Sequence, residues 1–566
     1  MNITLEKILE FQDLFHSVKE FDAKKVLCKY NRNKIVRIIN CLGMNYGNAH
    51  IPDNDNLFFS DISRKRIEEL NPLLEKHLKT HNTHQVIFCT QRTILELMRI
   101  AFSIPISDFQ DNGLDEDGEY DLFRILLYIN QQLMSYKTSD DIDISILTFF
   151  INYVHNDVTN ADWKQILQTQ IYYVDCLSDF LKSNSKGKEL KDRFLATIGI
   201  SSLKEYVQTV FALIFLYIDE KNKNRRGCPI LDLNTIQDEV GFIHKEVCDF
   251  LSLGINEVIQ YNIKDKKNDR GNNVDYRYFR ARPLVKIADS QYIIYNLPLL
   301  CERLYNSLFF DLKNTWEEGD YFQFYTTEFV ENHLFHRTML KCLGRKSTYN
   351  YPSIEEVLSE NQKKESPNQP DFYIREKDAL ILFECKGIKI NGTLKDRADI
   401  DKIMAELKNK LYFNKEKKKE LGVKQLVKHL NLIEDDKFRF DSNIPDDVSY
   451  YPVIVLEDPK LCQMGIAGII NSWYQPLIKE QLNGAMCHPV IVISIDTLFL
   501  YSETFKRLGF QNVFDQFYKS NTIQDTKDVD WQLNPLADFN DFTHSTYKVH
   551  PSKQEFSLQL INKLQS

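Results

Sequence analysis

This 566-residue chain has few of the residues and patterns that mark the unusual classes of protein. It contains only 19 glycines and 16 prolines, and 43% of its residues are hydrophobic, which excludes the collagenous, low-complexity and mainly disordered classes. Its 11 cysteines include no CxxC pair, so neither a zinc ribbon nor a thioredoxin-type site is expected. An odd number of scattered cysteines instead fits reduced thiols and a cytoplasmic location.

The chain also lacks a long apolar run and an excess of positive charge. The longest conspicuous apolar run, Val210 to Ile218, is far shorter than the roughly twenty residues of a membrane span. The N-terminal segment has no apolar core of a signal peptide, so a soluble intracellular protein without a membrane partner is predicted. The 71 basic and 80 acidic residues give a net charge of −9, which argues against a protein that coats nucleic acid but still permits a local basic groove.

The hydrophobic pattern changes along the chain. Apolar residues recur at helical spacing up to about residue 220, and two short strands around a turn are predicted over residues 274–287 and 291–296. Later β-branched runs that are apolar on both faces favour a sheet covered by helices on both sides. Four parts are predicted: a mostly α-helical domain (1–225), a mixed α/β connecting region (226–315), an α/β domain (316–510) and a C-terminal extension (511–566).

Familiar site motifs are absent or incomplete. The sequence has no GxSxG, no GxGxxG and no phosphate-binding loop, and the acidic stretch Asp108–Asp121 lacks the carboxylates that an EF-hand needs at its first and twelfth positions. His333 and His336 have a spacing that would allow metal binding from one side of a helix, but the same spacing suits ordinary packing.

One candidate site motif is complete, and it lies in residues 370–387, which read PDFYIREKDALILFECKG. The pattern predicts a β-hairpin with a first strand over residues 371–374 and a second over Ala379 to Lys386. Strand side chains alternate, so Glu384 and Lys386 share a face, and Asp371 on the neighbouring strand is expected beside them. Two carboxylates next to one ammonium suit Mg²⁺-assisted phosphodiester hydrolysis, with Mn²⁺ as a substitute, and the lysine would orient water and stabilise negative charge. The alternative is a salt-bridged rim of the sheet.

These residues resemble the PD-(D/E)XK nuclease superfamily, which has the restriction-endonuclease-like fold. The resemblance rests on Pro370-Asp371 and Glu384-Cys385-Lys386 and covers about residues 320–500. It implies an α/β nuclease domain in which a mixed sheet is flanked by helices. It also implies that Asp371, Glu384 and the backbone carbonyl of Cys385 bind the metal, and that Lys386 is catalytic.

In that family the helices on either side of the hairpin often contribute further residues. The preceding helix offers an acid, for which Glu328 is the first candidate and Glu331 the second. The following helix offers Gln425. A solvent-facing surface position is the alternative for each of these three residues.

Two basic segments are candidates for binding nucleic acid. Eight lysines against three glutamates between Lys402 and Lys424 give a local charge of +5, and Lys417, Lys418, Lys419 and Lys424 are the candidate phosphate contacts. A solvated lysine loop is the alternative. Arg277 and Arg280 alternate with aromatic residues, as in a strand that stacks bases, although a strand with one packed face has the same pattern.

The sequence therefore predicts a metal-dependent nuclease acting on DNA in preference to RNA. The helical N-terminal half is predicted to recognise a protein partner, an activator or the substrate, and oligomeric state is left open. By analogy, such an assembly of parts resembles bacterial antiphage defence effectors. The alternative is a catalytically silent nuclease fold that serves as a nucleic-acid-binding or assembly scaffold, against which the convergent charges argue.

Overall fold

The structure is a computed structural model, and its description covers most of the chain in separate segments. The described residues are 7–15, 21–43, 48–51, 65–66, 68–81, 86–112, 116–133, 141–153, 163–223, 230–236, 243–259, 276–317, 319–343, 369–376, 378–438, 441, 444–445, 447–482, 486–523 and 532–549.

The chain folds into two compact units. The N-terminal unit comprises Met1–Tyr136, Ile151–Trp316 and the short segment Gly392–Asp399, and the C-terminal unit comprises Lys137–Phe150, Glu317–Asn391 and Ile400–Ser566. The division between Trp316 and Glu317 lies at the start of the predicted α/β domain. The predicted boundary at position 225 falls inside the N-terminal unit. The predicted C-terminal extension after residue 510 belongs to the C-terminal unit.

Helices predominate in the N-terminal unit, which also has two small sheets. Its strands form a three-stranded sheet and a four-stranded sheet: Lys7–Ile8, Asn48–Ile51 and Val86–Thr90, then Leu231–Asp232, Ser252–Gly254, Leu284–Ala288 and Gln291–Ile294. Its helices are Phe11–Leu14, Ala23–Leu27, Arg32–Gly43, Asn71–His81, Gln91–Phe102, Glu116–Leu133, Trp163–Ser183, Ser185–Ile198, Leu203–Lys223, Leu233–Ile236, Lys245–Phe250, Arg277–Ala281, Leu297–Glu302, Leu308–Asn314 and Gly392–Arg397, and the helix Ile142–Tyr153 crosses the boundary of the two units.

The predicted hairpin of the connecting region is present, but its first strand is shorter than expected. Antiparallel pairing joins Leu284–Ala288 to Gln291–Ile294, whereas Arg277–Ala281 is helical. Tyr276 and Phe279 are both fully buried, and a spacing of three residues places two side chains on one face of a helix. The prediction of one strand from 274 to 287 is therefore wrong over Arg277–Ala281, and residues 274–275 lie outside the described part of the chain.

No single described helix is long and apolar enough to cross a membrane. The two helices over residues 185–198 and 203–218 pass the length and composition test together, but they are bent by 53° relative to each other.

The C-terminal unit is an α/β arrangement around one mixed sheet. Its strands are β1 (Phe372–Glu376), β2 (Ala379–Lys386), β3 (Phe413–Asn414), β4 (Lys419–Glu420), β5 (Ser449–Leu456), β6 (Met486–Cys487), β7 (Ile491–Ser494), β8 (Thr522–Ile523) and β9 (Gln532–Leu533). Its helices are a π-helix (Gln323–Phe335), α1 (His336–Cys342), α2 (Ile400–Leu411), α3 (Val423–Glu434), a 3₁₀-helix (Pro459–Cys462), α4 (Ile466–Gln481), α5 (Ile495–Leu500), α6 (Ser502–Leu508), α7 (Phe510–Asn521) and α8 (Phe539–Thr546).

The central strands of this sheet are β2 and β5. Strand β1 is antiparallel to β2, as the hairpin predicted, and β5 runs parallel to β2 with Glu384 opposite Ile454 and Lys386 opposite Leu456. The short strands β6 and β7 pair in parallel along the other edge of β5. Every residue of β2 is buried, as expected for a strand with neighbours on both edges and helices above and below.

The two faces of β2 are covered by different helices. Glu384 points to the face covered by α3, where it meets His429. Phe383 points to the opposite face, where its ring lies 6.3 Å from that of Phe335 in the π-helix and 5.5 Å from that of Phe510 in α7. The expectation of helices on both sides of the sheet is thus confirmed, and α7 belongs to the fold of this unit.

The π-helix has a sequence pattern that suits its wide turn. Its buried residues come as adjacent pairs that repeat every five positions: Phe324 and Tyr325, Phe329 and Val330, Leu334 and Phe335. A π-helix hydrogen-bonds residue i to residue i+5, so such pairs stack along one face. The prediction of a helical stretch from Phe322 to Leu343 is confirmed, but over most of that stretch the buried residues repeat every five positions and the backbone hydrogen bonds join residues five apart.

Candidate active site

Asp371, Glu384 and Lys386 converge at the carboxyl end of β2. Lys386 Nζ lies 3.0 Å from Glu384 Oε2 and 3.4 Å from Asp371 Oδ2. Glu384 is only 1% exposed and Lys386 is 8% exposed, whereas the Asp371 side chain is 26% exposed, so solvent reaches the ion-paired group on the Asp371 side. The hairpin therefore places the three residues as the Pro-Asp and Glu-x-Lys pattern indicated.

Asp371 is held at the end of the hairpin by the backbone of β2. The ladder between β1 and β2 ends at the pair Phe372 and Phe383, and the next amide on that side, the N–H of Cys385, donates to Asp371 Oδ2 at 2.7 Å. In a strand the N–H and C=O groups of one residue point to the same side. The Cys385 carbonyl, the predicted backbone ligand, consequently faces the side of the strand on which Asp371 lies.

Helix α3 contributes His429 to this group. His429 Nε2 lies 2.9 Å from Glu384 Oε1, and the imidazole is buried on the apolar face of α3. Both carboxylate oxygens of Glu384 therefore have a nitrogen partner, His429 on one side and Lys386 on the other. Nδ1 of His429 is buried and has no hydrogen-bond partner in the structure.

Gln425, which the sequence suggested for this position, has a different role. Its Oε1 accepts a hydrogen bond of 2.9 Å from the backbone N–H of Gly422, so the side chain folds back to cap the first turn of α3. His429 lies one turn further along the helix, on the buried face with Leu426 and Leu430. The expectation that Gln425 lies over the site is thus corrected. The signal for His429 was its place at helical spacing among those apolar residues.

The preceding helix contributes Glu331, and Glu328 is exposed. The Thr327 hydroxyl, the backbone N–H of Gly387 and the Lys386 ammonium all lie near the Glu331 carboxylate and act to lower its pKa. Gly387 follows β2 directly, and a Cβ there would come within 3.1 Å of the Thr326 side chain in the π-helix. This close approach brings the end of β2 against Glu331, so the second of the two candidate acids is the one at the site.

The two histidines of this helical region pack against aromatic rings. His333 is stacked on Phe329 with 6.2 Å between ring centroids, and His336 lies 5.6 Å from the ring of Phe372. These contacts fit the packing interpretation of the two histidines.

A second buried ion pair lies next to the end of β2. Glu457 directly follows β5, and its backbone N–H donates to the carbonyl of Lys386 at 3.4 Å. The Glu457 side chain is fully buried and its Oε2 lies 3.1 Å from Lys389 Nζ. The sequence analysis did not single out Glu457, and the next residue, Asp458, accepts the Lys460 N–H and begins the 3₁₀-helix.

The pKa values of the group reflect burial and crowding of like charge. Burial, together with Glu384 and Glu331, raises the pKa of Asp371 to about 7, although Lys386 acts against this rise. Burial also raises the pKa of Glu331, and the nearby Glu384 adds to the effect. For Glu384 itself burial acts upward, but Lys386 and His429 outweigh it, so its pKa is lowered.

The pKa of Lys386 is raised well above its ordinary value. Burial acts to lower it, but the three carboxylates of Glu384, Asp371 and Glu331 outweigh burial and keep the ammonium protonated. Asp371 and Glu384 thus flank the ammonium, and Glu331 adds to the negative charge around it.

The residues present fit a hard divalent cation in chemistry, although the side chains are not arranged as a finished metal site. Among the described residues, no group of three or more His, Cys, Asp or Glu side chains is positioned to hold a metal ion. Two carboxylates and a backbone carbonyl are nevertheless the oxygen donors that Mg²⁺ prefers, and the contacts of Asp371 described above use Oδ2 alone. The Lys386 ammonium takes the place of a shared cation between Asp371 and Glu384.

The candidate nucleic-acid contacts fall into two groups. Lys417, Lys418 and Lys419 are exposed in an antiparallel ribbon, β3–β4, so the segment is an ordered hairpin. Lys424 Nζ instead lies over the rings of Tyr412 and Phe413, at 5.0 and 5.2 Å from their centroids.

Arg277 and Arg280 belong to the N-terminal unit. Arg277 is exposed on the short helix Arg277–Ala281, and Arg280 forms an ion pair of 2.8 Å with the fully buried Asp396. The expected alternation of arginines and aromatic residues along a strand is therefore replaced by a helix in which Arg280 is bound to a buried acid.

Comparisons of the chain with models of protein families, with curated proteins and with solved structures each found no match.

Proposed function

We propose that this protein is a metal-dependent nuclease that hydrolyses phosphodiester bonds of DNA, with residues of the C-terminal unit as its active site. The observation that carries the proposal is the convergence of Asp371 and Glu384 on the ammonium of Lys386 at the end of a buried strand, with Glu331 close enough to act on that ammonium electrostatically. Crowding three carboxylates, one of them the fully buried Glu384, near one ammonium is costly unless a further cation joins them. A nuclease has a use for that arrangement, because its substrate is a phosphate diester.

Each residue has a definite part in this proposal. Asp371, Glu384 and the Cys385 carbonyl would hold Mg²⁺ or Mn²⁺, which supplies charge neutralisation of the scissile phosphate and a lower pKa for the attacking water. Lys386 donates from Nζ to the charge that develops on the phosphoryl oxygens. Glu331, with its raised pKa, accepts the proton of the attacking water. His429 fixes the orientation of Glu384 through Nε2.

The order of elements around the site also supports the proposal. A helix that bears an acid precedes the hairpin of β1 and β2, and α3 and then the parallel strand β5 follow it. The PD-(D/E)XK pattern has the same sequence of parts, with the acid and lysine on the second strand of the hairpin. The agreement concerns the arrangement of elements and the placement of Asp371, Glu384 and Lys386 within it.

The test is incubation of the purified full chain with linear, circular and single-stranded DNA and with RNA, in Mg²⁺, Mn²⁺ or EDTA. We expect metal-dependent cleavage of DNA that falls by at least about 10² when Glu384→Gln or Lys386→Met is introduced. Glu331→Gln and Glu328→Gln form a matched pair on one helix, and only the former should lose activity. Full cleavage by both Glu384→Gln and Lys386→Met would overturn the site assignment.

A second candidate function is a nuclease fold that binds nucleic acid without cutting it. The position of Lys386 favours it, because an ammonium between Asp371 and Glu384 neutralises part of their charge without any metal. Metal-independent binding of DNA together with no cleavage of any substrate in the panel would support this scaffold.

A further inference from the structure

The lysines between Lys402 and Lys424 differ sharply in their surroundings. Lys408 Nζ lies 5.5 Å from the ring centroid of Trp473, and Lys410 Nζ lies 2.6 Å from Glu406 Oε1. Lys424, as described, covers the rings of Tyr412 and Phe413. These three lysines stabilise the fold through cation–π contacts and an ion pair.

The tip of the ribbon is different, because its lysines are exposed. Lys415, Lys417, Lys418 and Lys419 all point into solvent together with two acids, Glu416 and Glu420. Like charges placed this close repel one another, so the cluster costs stability unless an anion approaches it. We call these four lysines the ribbon tip.

The backbone of the ribbon tip is nevertheless held in place. Asn409 Oδ1 accepts the N–H of Lys415 at 3.0 Å, and Asn414 Oδ1 accepts the N–H of Lys417 at 2.8 Å. Below the tip, β3 and β4 pair in antiparallel fashion. The lysines therefore project from an ordered hairpin.

The base of the ribbon is fixed to the helix that carries His429. Leu421 N–H donates to the Tyr412 carbonyl at 3.1 Å and closes the ribbon, and Gly422 then turns the chain into α3 with a φ of 48°. A Cβ at Gly422 would lie 2.5 Å from the Leu411 carbonyl oxygen, so this turn needs glycine. Six residues separate the first residue of α3 from His429, which is about 9 Å along the helix axis at roughly 1.5 Å per residue.

We infer that the ribbon tip binds the sugar–phosphate backbone of the nucleic acid beyond the nucleotides that flank the scissile bond. The inference rests on the proposed function, because it takes the site at β2 as the place of cleavage. Lysine ammoniums contact phosphates without reading bases, so the tip binds all sequences alike. The tip sets how long a substrate must be, and the residues at β2 perform the chemistry.

The first experiment measures binding without cleavage. Full-length protein and a variant with all four tip lysines changed to glutamine are titrated with labelled DNA in EDTA over a range of salt concentrations. Each lost phosphate contact makes the slope of log K against log salt less steep by about 0.9 for duplex and about 0.7 for single-stranded DNA. Four contacts therefore change the slope by about 3 to 4 for duplex and about 3 for a single strand, and the two probes show which form is bound.

The control variant removes the same charge elsewhere on the C-terminal unit. It carries glutamine at four other exposed lysines, Lys437, Lys506, Lys519 and Lys548. Binding to DNA with an unchanged salt slope is expected for this control. Equal slopes for the ribbon-tip variant and the control would overturn the inference.

The second experiment separates the tip from the chemistry. In Mg²⁺, the ribbon-tip variant should hydrolyse bis(p-nitrophenyl) phosphate as wild type does, and it should have a higher KM with an unchanged kcat on a 20-nucleotide DNA. The difference should vanish on a dinucleotide. Loss of bis(p-nitrophenyl) phosphate hydrolysis in the tip variant would contradict the inference. Failure of the wild type to hydrolyse any substrate would refute the proposed function, while the EDTA binding comparison would still decide the role of the ribbon tip.

Discussion

Replacement of Lys386 by methionine tests whether the cluster at the end of β2 is a cation site. Methionine keeps an unbranched side chain of similar length but removes the ammonium between Glu384 and Asp371. The variant then contains buried carboxylates without their partner, a change that costs about 3–5 kcal/mol when a buried ion pair is broken. In EDTA we therefore expect Lys386→Met to unfold at a clearly lower temperature than wild type.

A divalent cation should reverse this loss, because it takes over the charge neutralisation that the lysine provided. Binding to the folded state alone adds about 2.7 kcal/mol at a cation concentration one hundred times the Kd. For a unit of this size about 1 kcal/mol corresponds to roughly 2–4 °C, so the transition should rise by about 5–10 °C. Wild type should rise less, since its own ammonium competes with the cation. Scanning calorimetry in EDTA and across a Mg²⁺ titration measures both effects.

The matched control is Glu384→Gln, which removes a cation ligand and keeps the lysine. Its transition temperature should be insensitive to Mg²⁺. The reasoning would be refuted if Mg²⁺ failed to stabilise Lys386→Met, or if Lys386→Met and Glu384→Gln responded equally to the cation.

Three further predictions concern single residues. His429→Leu leaves Glu384 Oε1 without the His429 donor and should lower the free energy of unfolding by about 1–3 kcal/mol in urea denaturation and reduce cleavage of DNA. His429→Gln retains a donor at a similar reach and should restore most of the stability and most of the cleavage. Arg280→Ala removes the ion pair of the buried Asp396, which keeps the hydrogen bond from the Tyr276 N–H, and should destabilise the fold by about 3–5 kcal/mol in urea denaturation, with the salt slope of DNA binding unchanged. Burial raises the pKa of Asp538 to about 6, so the folded state binds this proton more tightly than the unfolded state does, and the free energy of unfolding falls as pH rises from about 4 to about 6. In Asp538→Asn this fall in the free energy of unfolding should be smaller by up to about 3 kcal/mol, measured by urea denaturation at each pH.

The hairpin and its charged residues could be predicted from sequence because the signal is local. The period of two along β2, the flanking turn and the glycine after Lys386 together predict which residues share a face. Both Glu384 and Lys386 lie where that alternation places them, and Asp371 reaches them from the adjoining strand. Pairing of β2 with β5 is not local, but two runs of buried β-branched residues already favoured a covered sheet.

The contribution of α3 was harder to predict because two polar residues compete for it. Gln425 and His429 are one turn apart, so both lie on the same side of the helix. Only the start of the helix decides between them, and that start depends on Gly422, whose positive φ places its N–H within reach of Gln425. A glutamine three residues after a helix start is a capping signal, and this local rule accounts for Gln425 better than any role at the site.

The choice between Glu328 and Glu331 depends on the period of the helix that bears them. An α-helical turn of 3.6 residues places both acids near the same face, so it does not separate them. The buried pairs at Phe324, Phe329 and Leu334 repeat every five residues, and Glu328 and Glu331 flank the same pair, Phe329 and Val330, on either side. The wide turn also presents Thr326 to Gly387, where the missing Cβ lets strand and helix approach. A π-helix is rare, so the five-residue repeat carries little weight in sequence, although it fixes which residues of this helix are buried.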